Sequence, residues 1–493
     1  MRPVNSPSRT SDDLSRFLAI DAPSEKFIFS GLTNSTKNIV AGDIFIALSG
    51  AKAHGASFID QARQAGAVAV VTDPEGARFI DGQIPTLVVT DLRFILGDIA
   101  SWFYNTPFRS LQGFGITGTN GKTTTSSLLF QLWQMSNREA GMIGTVGISI
   151  GRDEYRAQFT TPESPELQAA VATMVERGAR NLVMEVSSHS IAQRRISGSH
   201  FANVAFTNLT QDHLDFHGDM ESYFATKAKL FTAEYADQAF INIDDPYGKR
   251  LVDICALPIQ TISRHSLEAI WHYTKCEISG GGYEVSIRGL GGILIEGFLP
   301  LVGGHNLDNA LMAIALAVES GIDPLTVSAD MSRLVGPAGR LEKVDIGQNF
   351  LALVDYAHTP DAVHRVLSAV REITAGRVIA VLGCGGDRDS TKRPLMGLAL
   401  QSGSDFAIFT SDNPRSEDPE SILDQMVSTI SLNEKCAREV DRRGAIAIAV
   451  SEAQDGDTVI VLGKGHELGQ EIMGTKYPFD DRIELARAIE QLT

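Results

Sequence analysis

Short apolar runs alternate with amphipathic stretches along most of this chain, and the alternation recurs in three consecutive regions. Runs such as AVAVVTD, NLVMEV and RVIAVLG have the length and the apolar composition of buried strands. Between such runs lie segments such as SFIDQARQAG, whose composition favours a helix. Strands that alternate with helices are typical of parallel sheets with helices on both faces, so the pattern predicts an α/β fold.

Three domains are predicted from where these elements fall in the 493 residues. Residues 1–107 are predicted to form a small α/β domain, and its polar first dozen residues are expected to be a mobile tail. Residues 108–340 are predicted to form a central ATPase-like domain with a mostly parallel sheet. Residues 341–493 contain the strand candidates LALVDY, RVIAVLG, DFAIFT and DTVIVLG, which predict a Rossmann-like sheet.

The most informative segment is GFGITGTNGKTTT, residues 113–125, where a predicted strand runs through a glycine turn into a helix. In that arrangement backbone N–H groups and a helix N-terminus point at phosphate oxygens. Lys122 is predicted to neutralise the terminal phosphates, and Thr123 to reach a magnesium ion through its hydroxyl. Ile116 stands where a strict Walker A motif has its first glycine, so the loop is interpreted as a shorter variant. The ATP-binding candidates of this loop are Gly118, Thr119, Asn120, Gly121, Lys122, Thr123 and Thr124.

Two further magnesium ligands are predicted at the ends of neighbouring strands. Glu185 lies at the end of the run NLVMEV, and His213 follows VAFTNL in the segment TNLTQDHLDFHG. Because the carboxyl ends of parallel strands share one edge of a sheet, both side chains could meet Thr123 at the phosphate loop. The alternatives are a surface acid at a strand end and a loop histidine that caps backbone groups.

Lys227 follows these residues on a predicted helix, and the residues alone leave two interpretations open. A solvated helix lysine is the simpler interpretation. In the other, burial favours the neutral amine, which could add carbon dioxide and offer the resulting carbamate to a second magnesium ion.

The third region places charged side chains directly after its strands. GCGGDRD follows RVIAVL, SDNPRSEDP follows DFAIFT, and GKGHE follows DTVIVL. Arg388 and Arg415 could hold the carboxylates of one small molecule, because a guanidinium group binds a carboxylate through two parallel hydrogen bonds. Glu467 could receive an ammonium group of the same molecule. Ordinary salt bridges to Asp387 and Glu417 are the alternative. A dinucleotide site is rejected, because Arg388 stands where the fingerprint needs its third glycine.

Composition narrows the classes of partner and compartment. The net charge is −17, from 43 Lys and Arg against 60 Asp and Glu, which argues against non-specific nucleic-acid binding. The four cysteines form no CxxC pair, so neither a disulfide framework nor a zinc site is predicted. The polar first residues lack the apolar core of a signal peptide, and no apolar run has membrane-spanning length. A cytoplasmic protein without membrane insertion is therefore expected.

These motifs together resemble the Mur ligase family, whose members use ATP to form amide bonds in peptidoglycan precursor synthesis. The matching segments occur in order over nearly the whole chain: TNSTKNIVAGDIFIAL, GITGTNGKTTT, TTPES, MEVSSHSIAQRR, TNLTQDHLDFHGDMESYFATK, GGHNLDNALMA, GPAGRLEKV, VDYAHTPDA, GCGGDRD, SDNPRSEDP and LGKGHE. The resemblance implies ATP and magnesium as cofactors, and UDP-N-acetylmuramoyl-L-alanyl-D-glutamate and meso-diaminopimelate as substrates. It also implies that Lys227 is carbamylated and that Lys122, Lys227 and His213 act in catalysis.

The resemblance extends to further binding residues. Asn309, Arg340 and Asp355 would be additional nucleotide contacts. The nucleotide-sugar peptide would be bound by Thr33, Ser35, Ala51, Lys52, Ala53, Thr160, Thr161, Ser187, Gln193 and Arg195. The added amino acid would be bound by Arg388, Asp412, Asn413, Pro414, Arg415, Gly463 and Glu467. The DNPR sequence is similar to that of members that add meso-diaminopimelate, since lysine-adding members differ at the arginine.

Two other functions stay open at this point. A lysine-adding relative or a folate-glutamylating ligase would share the phosphate loop, although the uridine-binding motif and Arg415 argue against both. A nucleotide-dependent switch without ligation would explain the phosphate loop but would leave Glu185 and the third-region residues unexplained. A switch would hydrolyse ATP alone, whereas a ligase would require both of its other substrates.

Overall fold

The computed structural model describes residues 1–50, 53–82, 84–157, 159–279 and 282–492. These residues divide into two compact units of the chain. The first unit comprises Met1–Tyr273, Ile287–Ile295 and Asp308–Val327. The second unit comprises Thr274–Ser286, Glu296–Leu307 and the chain from Ser328 onward. Among all the residues that the structure describes, no helix is long and apolar enough to cross a bilayer.

The amino-terminal part of the first unit contains a four-stranded parallel sheet. Its elements are β1 (Arg9–Thr10), α1 (Ser11–Leu18), β2 (Ile28–Phe29), β3 (Gly31–Thr33), β4 (Asp43–Ala47), α2 (Ile59–Gln64), β5 (Ala69–Thr72), β6 (Thr86–Val88) and α3 (Leu92–Phe103). The strand order is β3-β4-β5-β6, and each neighbouring pair is parallel. Helix α3 packs its apolar face, including Leu96 and Ile99, into the core that this sheet shares with α1. The α/β character predicted for this region is therefore confirmed.

The first residues contact other parts of the first unit, and the expectation that they form a mobile tail stays a prediction. Arg2 forms an ion pair with the buried carboxylate of Asp43. The backbone N–H groups of Val4 and Asn5 each donate to the Glu176 carboxylate at 2.7 Å. These partners are 41 residues or more away along the chain, so no local sequence pattern could reveal them.

The larger sheet of the first unit positions the phosphate loop. The elements of this region are β7 (Gln112–Thr117), α4 (Lys122–Met135), β8 (Ala140–Gly144), β9 (Gly147–Ile150), β10 (Asp153–Tyr155), α5 (Ser164–Glu176), β11 (Asn181–Glu185), α6 (Ser188–Ala192), β12 (Phe201–Phe206), α7 (Leu214–His217), α8 (Met220–Ala228), β13 (Ala236–Asn242), α9 (Pro246–Ile254) and β14 (Ile259–Ser263). The strand order is β10-β9-β8-β11-β7-β12-β13-β14. Strand β9 pairs antiparallel with both β8 and β10, and the other neighbouring pairs are parallel. Strand β7 lies between β11 and β12, so the segments after these three strands emerge side by side.

A β-rich segment and two helices connect this sheet with the carboxy-terminal region along the chain. The elements are β15 (Trp271–Ser279), β16 (Gly282–Arg288), β17 (Leu294–Leu299), α10 (Gly304–Glu319) and α11 (Pro324–Asp330). The pattern from residue 276 to 302 predicts this β structure, and the apolar run NALMAIALAV predicts the helix α10 that follows.

The carboxy-terminal region of the second unit is a doubly covered sheet. Its elements are β18 (Glu342–Lys343), β19 (Leu351–Asp355), α12 (Pro360–Ile373), β20 (Val378–Cys384), α13 (Arg393–Gly403), β21 (Phe406–Ser411), α14 (Pro419–Val427), β22 (Cys436–Arg438), α15 (Arg442–Glu452), β23 (Thr458–Leu462), β24 (Gly469–Ile472), β25 (Thr475–Pro478) and α16 (Asp481–Glu490). The strand order is β18-β19-β23-β20-β21-β22, parallel except at β18. Leu353 packs in one core cluster, whereas Ala352 and Val354 pack in a second cluster. Such alternation along a buried strand shows that both faces of the sheet are covered.

Candidate active site

The phosphate loop has the backbone shape that its glycines predict. Gly118 and Gly121 have φ values of +153° and +86°, and α4 begins at the next residue, Lys122. A Cβ atom at Gly118 would collide with the hydroxyl of Thr207, and one at Gly121 would collide with the side-chain carbonyl of Asn309. Asn309, a predicted nucleotide contact, therefore lies directly against the loop.

Side chains and neighbouring backbone brace this loop. The Nζ atom of Lys122 donates to the carbonyls of Gly118 and Thr119 at 2.9 Å. The Asn120 N–H donates to the Asn208 side-chain carbonyl at 3.0 Å. A closed loop at the amino end of α4 offers backbone N–H groups and a lysine to an anion, which is the geometry of a phosphate site.

Glu185 lies beside the loop, where an oxygen-binding cation could be held. The residue ends β11 and is buried, with 1% of its surface exposed. Its carboxylate accepts hydrogen bonds from the hydroxyls of Thr123 at 3.0 Å and Thr145 at 3.1 Å, and from the Thr145 N–H at 2.9 Å. Buried oxygens next to a phosphate loop fit the ligand preference of magnesium. Sequence reasoning missed Thr145, which carries no motif signal.

His213 has a different environment from Glu185. It precedes α7 in a left-handed conformation, with φ of +52°, and its side chain is half-exposed. Its ring lies 4.9 Å from the ring of His189, and its Nε2 atom lies 3.4 Å from Asp212. Within the described residues, no group of three or more His, Cys, Asp or Glu side chains is arranged to hold a metal ion. The structure thus joins Thr123 to Glu185, and a role for His213 stays a prediction.

Lys227 is buried against the phosphate loop rather than solvated. It lies in α8, whose N-cap Asp219 accepts a hydrogen bond from the Ser222 N–H. Its Nζ atom donates to the Gly118 carbonyl at 3.0 Å and lies 4.9 Å from the centroid of the Tyr223 ring. Burial is the main cause that lowers the pKa of this amine well below its ordinary value, and the nearby Lys122 ammonium lowers it further.

Four of the residues predicted to bind the sugar peptide form one hydrogen-bonded group next to Glu185. The Thr161 hydroxyl donates to the Glu185 carbonyl at 2.8 Å and accepts from the Ser187 N–H at 3.1 Å. Arg195 donates to the Thr161 carbonyl at 3.2 Å and to the Gln193 side-chain carbonyl at 2.6 Å. The structure therefore brings together four residues that are separated in sequence.

Of the remaining sugar-peptide candidates, Thr160 adjoins that hydrogen-bonded group, Thr33, Ser35 and Ala53 belong to the amino-terminal region, and two are not described. The Thr160 and Thr145 hydroxyls are 3.1 Å apart. Thr33 is buried at the end of β3, and its hydroxyl accepts a hydrogen bond from the Ser35 N–H at 3.2 Å. Ala53 is exposed. Ala51 and Lys52 lie outside the described residues, so their predicted roles stay predictions.

In the second unit, Asp355 and Arg340 surround the end of β19. Asp355 is buried, and its carboxylate accepts from the N–H groups of Leu341 at 2.8 Å and Ala357 at 2.7 Å. Burial raises the pKa of Asp355 despite these hydrogen bonds and the nearby Arg340. The Arg340 guanidinium lies 5.2 Å from the centroid of the Tyr356 ring. Through its two hydrogen bonds to backbone N–H groups, the Asp355 carboxylate fixes the backbone around the end of β19.

A buried polar network occupies the edge where β21 and β23 end. The Asn413 side-chain N–H groups donate to Asp412 at 3.0 Å and to Glu467 at 2.8 Å. Lys464 donates to Glu467 at 3.0 Å and is fully buried. Gly463 has φ of +108°, and a Cβ atom there would lie 2.9 Å from an Asp412 carboxylate oxygen. Lys464 could not be singled out from the sequence, because a single lysine between glycines has no periodic signal.

Electrostatics of this network are dominated by burial and by Lys464. Burial raises the pKa of Asp412, although Lys464 and Arg442 favour its charged form. For Glu467, burial opposes ionisation, but Lys464, Asn413 and Arg415 together lower its pKa. Glu467 is therefore held as a carboxylate, the form that can accept an ammonium group.

The two arginines of the predicted amino-acid pocket differ in exposure. Arg415 is mostly buried, has φ of +52°, and donates from Nη1 to the Gly386 carbonyl at 2.6 Å. Its Nε atom lies 3.8 Å from the Glu471 carboxylate. Arg388 is exposed. A Cβ atom at Gly386 would collide with the Pro414 carbonyl, so the two loops are in close contact.

Comparison with known proteins assigns the chain to a family. Residues 29–104 match the Mur ligase family, catalytic domain; residues 116–317 match the Mur ligase middle domain; and residues 339–465 match the Mur ligase, glutamate ligase domain. A UDP-N-acetylmuramoyl-L-alanyl-D-glutamate–2,6-diaminopimelate ligase of Streptomyces coelicolor is 43% identical over 497 residues, covering 99% of this chain and 98% of that protein. A ligase of the same name from Aquifex aeolicus is 40% identical over 451 residues and covers 92% of each chain. The chain therefore belongs to the Mur ligase family, and the resemblance seen in the sequence is confirmed.

Solved structures support the same assignment. A structure of a UDP-N-acetylmuramoyl-L-alanyl-D-glutamate–2,6-diaminopimelate ligase is 31% identical, covers 99% of each chain and has a TM-score of 0.73. A MurF ligase from Thermotoga maritima in complex with ADP is 18% identical, covers 94% of this chain and 97% of its own, and has a TM-score of 0.63. The second likeness concerns the fold alone. The predicted three-domain α/β fold is confirmed.

Proposed function

We propose that this chain is an ATP-dependent ligase that joins meso-diaminopimelate to the D-glutamate side-chain carboxylate of UDP-N-acetylmuramoyl-L-alanyl-D-glutamate. Relatives that are 40% and 43% identical carry that name and match nearly the whole chain. The observation that carries the choice of amino acid is Arg415, a mostly buried guanidinium group whose Nη1 atom donates to the neutral carbonyl of Gly386. The predicted cytoplasmic location of the reaction belongs to the same proposal.

The first half-reaction would activate the carboxylate. A carboxylate is a poor electrophile toward an amine, so ATP would phosphorylate the D-glutamate side chain to give an acyl phosphate and ADP. Lys122 and the backbone N–H groups at the start of α4 would stabilise the charge on the transferring phosphoryl group. Thr123 and Glu185 would hold magnesium, which when bound supplies positive charge that offsets the phosphate oxygens.

Lys227 would contribute a negative charge beside the loop. A neutral amine can attack carbon dioxide and lose a proton, which gives a carbamate anion, and burial favours the neutral amine here. The Lys122 ammonium, which disfavours a second ammonium at Lys227, would favour an anion at the same position. Both effects support carbamylation of Lys227.

The second half-reaction would form the amide. The neutral diaminopimelate amine would attack the acyl carbon, the bond from that carbon to the phosphate oxygen would break, and phosphate would leave. The proton that the nitrogen loses on forming the amide would pass to solvent. Arg415 would pair with the distal carboxylate, and Glu467 would accept a substrate ammonium group. Lysine lacks that carboxylate and would leave the guanidinium group without this hydrogen-bonded partner, which costs on the order of 1–3 kcal/mol.

A substrate-pair assay tests this function. Phosphate release would be measured with ATP, magnesium, the nucleotide-sugar peptide and either meso-diaminopimelate or lysine. We expect release only when both the peptide and an amino acid are present, with diaminopimelate preferred. Preference for lysine would identify a lysine-adding ligase, and release from ATP alone would identify a switch.

A further inference from the structure

The Lys464 ammonium group is the centre of the buried network after β23. The side chain is fully buried, with 0% of its surface exposed. Its Nζ atom donates to Asn413 Oδ1 at 3.2 Å, to Glu467 Oε2 at 3.0 Å and to the Gly469 carbonyl at 2.8 Å. An ammonium group has three N–H donors, so each donor has a partner.

Two of these bonds fix side chains on the ammonium-binding side of the pocket. Asn413 directs Oδ1 at Lys464, so its two Nδ2 hydrogens are left for Asp412 and Glu467. A flipped amide would turn its N–H groups toward the ammonium group, which is unfavourable. Glu467 receives both of its bonds on Oε2, and within the described residues no hydrogen bond reaches Oε1. Oε1 therefore retains its acceptor capacity for a ligand.

The third bond fixes the other side of the pocket through the hairpin β24–β25. Gly469, whose carbonyl accepts from Lys464, is the first residue of β24. Further along the hairpin, the Glu471 carbonyl accepts from the Arg415 N–H at 2.9 Å, and the Met473 N–H donates to the Arg415 carbonyl at 2.6 Å. The hairpin thus holds Arg415 in its left-handed conformation on both sides of the residue.

We propose that Lys464 is a positioning residue for the added amino acid. It fixes Glu467 directly and Arg415 through β24, and so sets the distance between the group that accepts the ammonium end and the group that accepts the carboxylate end. This inference rests on the proposed function, because it places Lys464 behind the diaminopimelate pocket. Substitution of a residue that only packs the domain would change the stability of the fold and would leave the KM values of the three substrates unchanged.

The test uses Lys464→Met, which keeps the volume without the charge, and Lys464→Gln, which keeps a hydrogen-bond donor. Steady-state KM values for diaminopimelate, ATP and the nucleotide-sugar peptide are measured with the full chain. We expect KM for diaminopimelate to rise at least about tenfold while the other two KM values stay within about twofold. We also expect the preference for diaminopimelate over lysine to narrow.

Arg377→Met is the matched control. Arg377 pairs with Asp457 at 3.0 Å just before β20, at the opposite end of the same sheet. The Arg377→Met substitution should lower the thermal unfolding temperature without changing the KM of any substrate. An unchanged diaminopimelate KM in either folded Lys464 variant would overturn the inference. If the unmodified protein shows no diaminopimelate-dependent ligation, the proposed function fails instead, so the two failures are distinguishable.

Discussion

Lys227 and Lys464 are both fully buried, but their partners differ. Lys227 donates to the Gly118 carbonyl and to the Thr117 hydroxyl, both neutral oxygens. Lys464 donates to the carboxylate of Glu467. A buried ammonium group beside neutral oxygens is costly, whereas one paired with an anion is tolerated. The first lysine is therefore suited to react as an amine, and the second to serve as a counter-ion.

This difference separates two kinds of chemistry in one chain. In the first unit, Lys122 would offer a positive charge to an incoming phosphate, and Lys227 would offer a neutral amine to carbon dioxide under the proposed function. In the second unit, the ion pair of Lys464 and Glu467 stiffens a pocket for an amino acid that carries both charges. Substitutions at the phosphate loop should therefore change mainly kcat, whereas substitutions in the pocket of the second unit should change mainly the kinetic constants for the amino acid.

Lys122→Ala should have the largest effect and should act on catalysis with every amino acid. Removal of a charge that stabilises the transferring phosphoryl group is expected to lower kcat by roughly 10²–10³-fold. The comparison variant is Lys249→Ala, which removes an exposed lysine of α9. Turnover near that of the unmodified protein, with the fold verified by circular dichroism, would exclude the phosphate-loop role.

Lys227→Met should come next in size. Methionine fills a similar volume but cannot form a carbamate, so ligation should fall roughly 10–100-fold while the thermal unfolding temperature is retained. Lys229→Met, at an exposed position on the following turn, should leave activity unchanged. A crystal structure of the protein without substitutions should show density for a carboxylate beyond Nζ of Lys227. A bare amine bound directly to an acid would contradict carbamylation.

Arg415→Ala should change selectivity more than turnover. Without the guanidinium group, diaminopimelate loses its extra ion pair and lysine loses nothing, so the ratio of the two kcat/KM values should narrow by roughly tenfold. Arg438→Ala, which removes the ion-pair partner of Glu420 and Asp424 in β22, is the control. An unchanged ratio would remove Arg415 from the pocket.

Glu417→Gln should have the smallest effect, which is a change in how the stability of the fold depends on acidic pH. Arg393 is buried and binds both carboxylate oxygens of Glu417 at 2.8 Å, and this pairing lowers the Glu417 pKa from 4.5 to about 2. A lowered pKa stabilises the fold above pH 4.5, and that stabilisation is lost as the pH falls toward about 2. In this window the free energy of unfolding should fall more steeply in the unmodified protein than in Glu417→Gln. Parallel curves from denaturant titrations would contradict the pairing.

The sequence predicts the strands and the phosphate loop because both depend on local signals. Apolar runs define β11 and β23. Gly118 and Gly121 mark the turn between a strand and a helix start, which is the local pattern of a phosphate-binding loop. Glu185 can be placed next to Thr123 for the same reason, since parallel strands end together.

Other features depend on contacts between distant residues and leave no local pattern. The Arg2 guanidinium forms an ion pair with Asp43, a contact that no local sequence pattern indicates. The burial of Lys464 depends on β24 returning to the end of β23, and the position of Thr145 depends on β8 lying beside β11. Sequence periodicity reports which face of an element is buried, but not which distant segment covers it.

The backbone hydrogen bonds between Arg415 and the hairpin offer a reporter of pocket occupancy that needs no attached probe. The Arg415 N–H is bound to the Glu471 carbonyl and the Met473 N–H to the Arg415 carbonyl, so both amides are shielded only while the hairpin stays docked. Deuterium uptake at these two positions should slow together when an amino acid is bound. Mass spectrometry of the corresponding peptides could then rank candidate amino acids without any turnover.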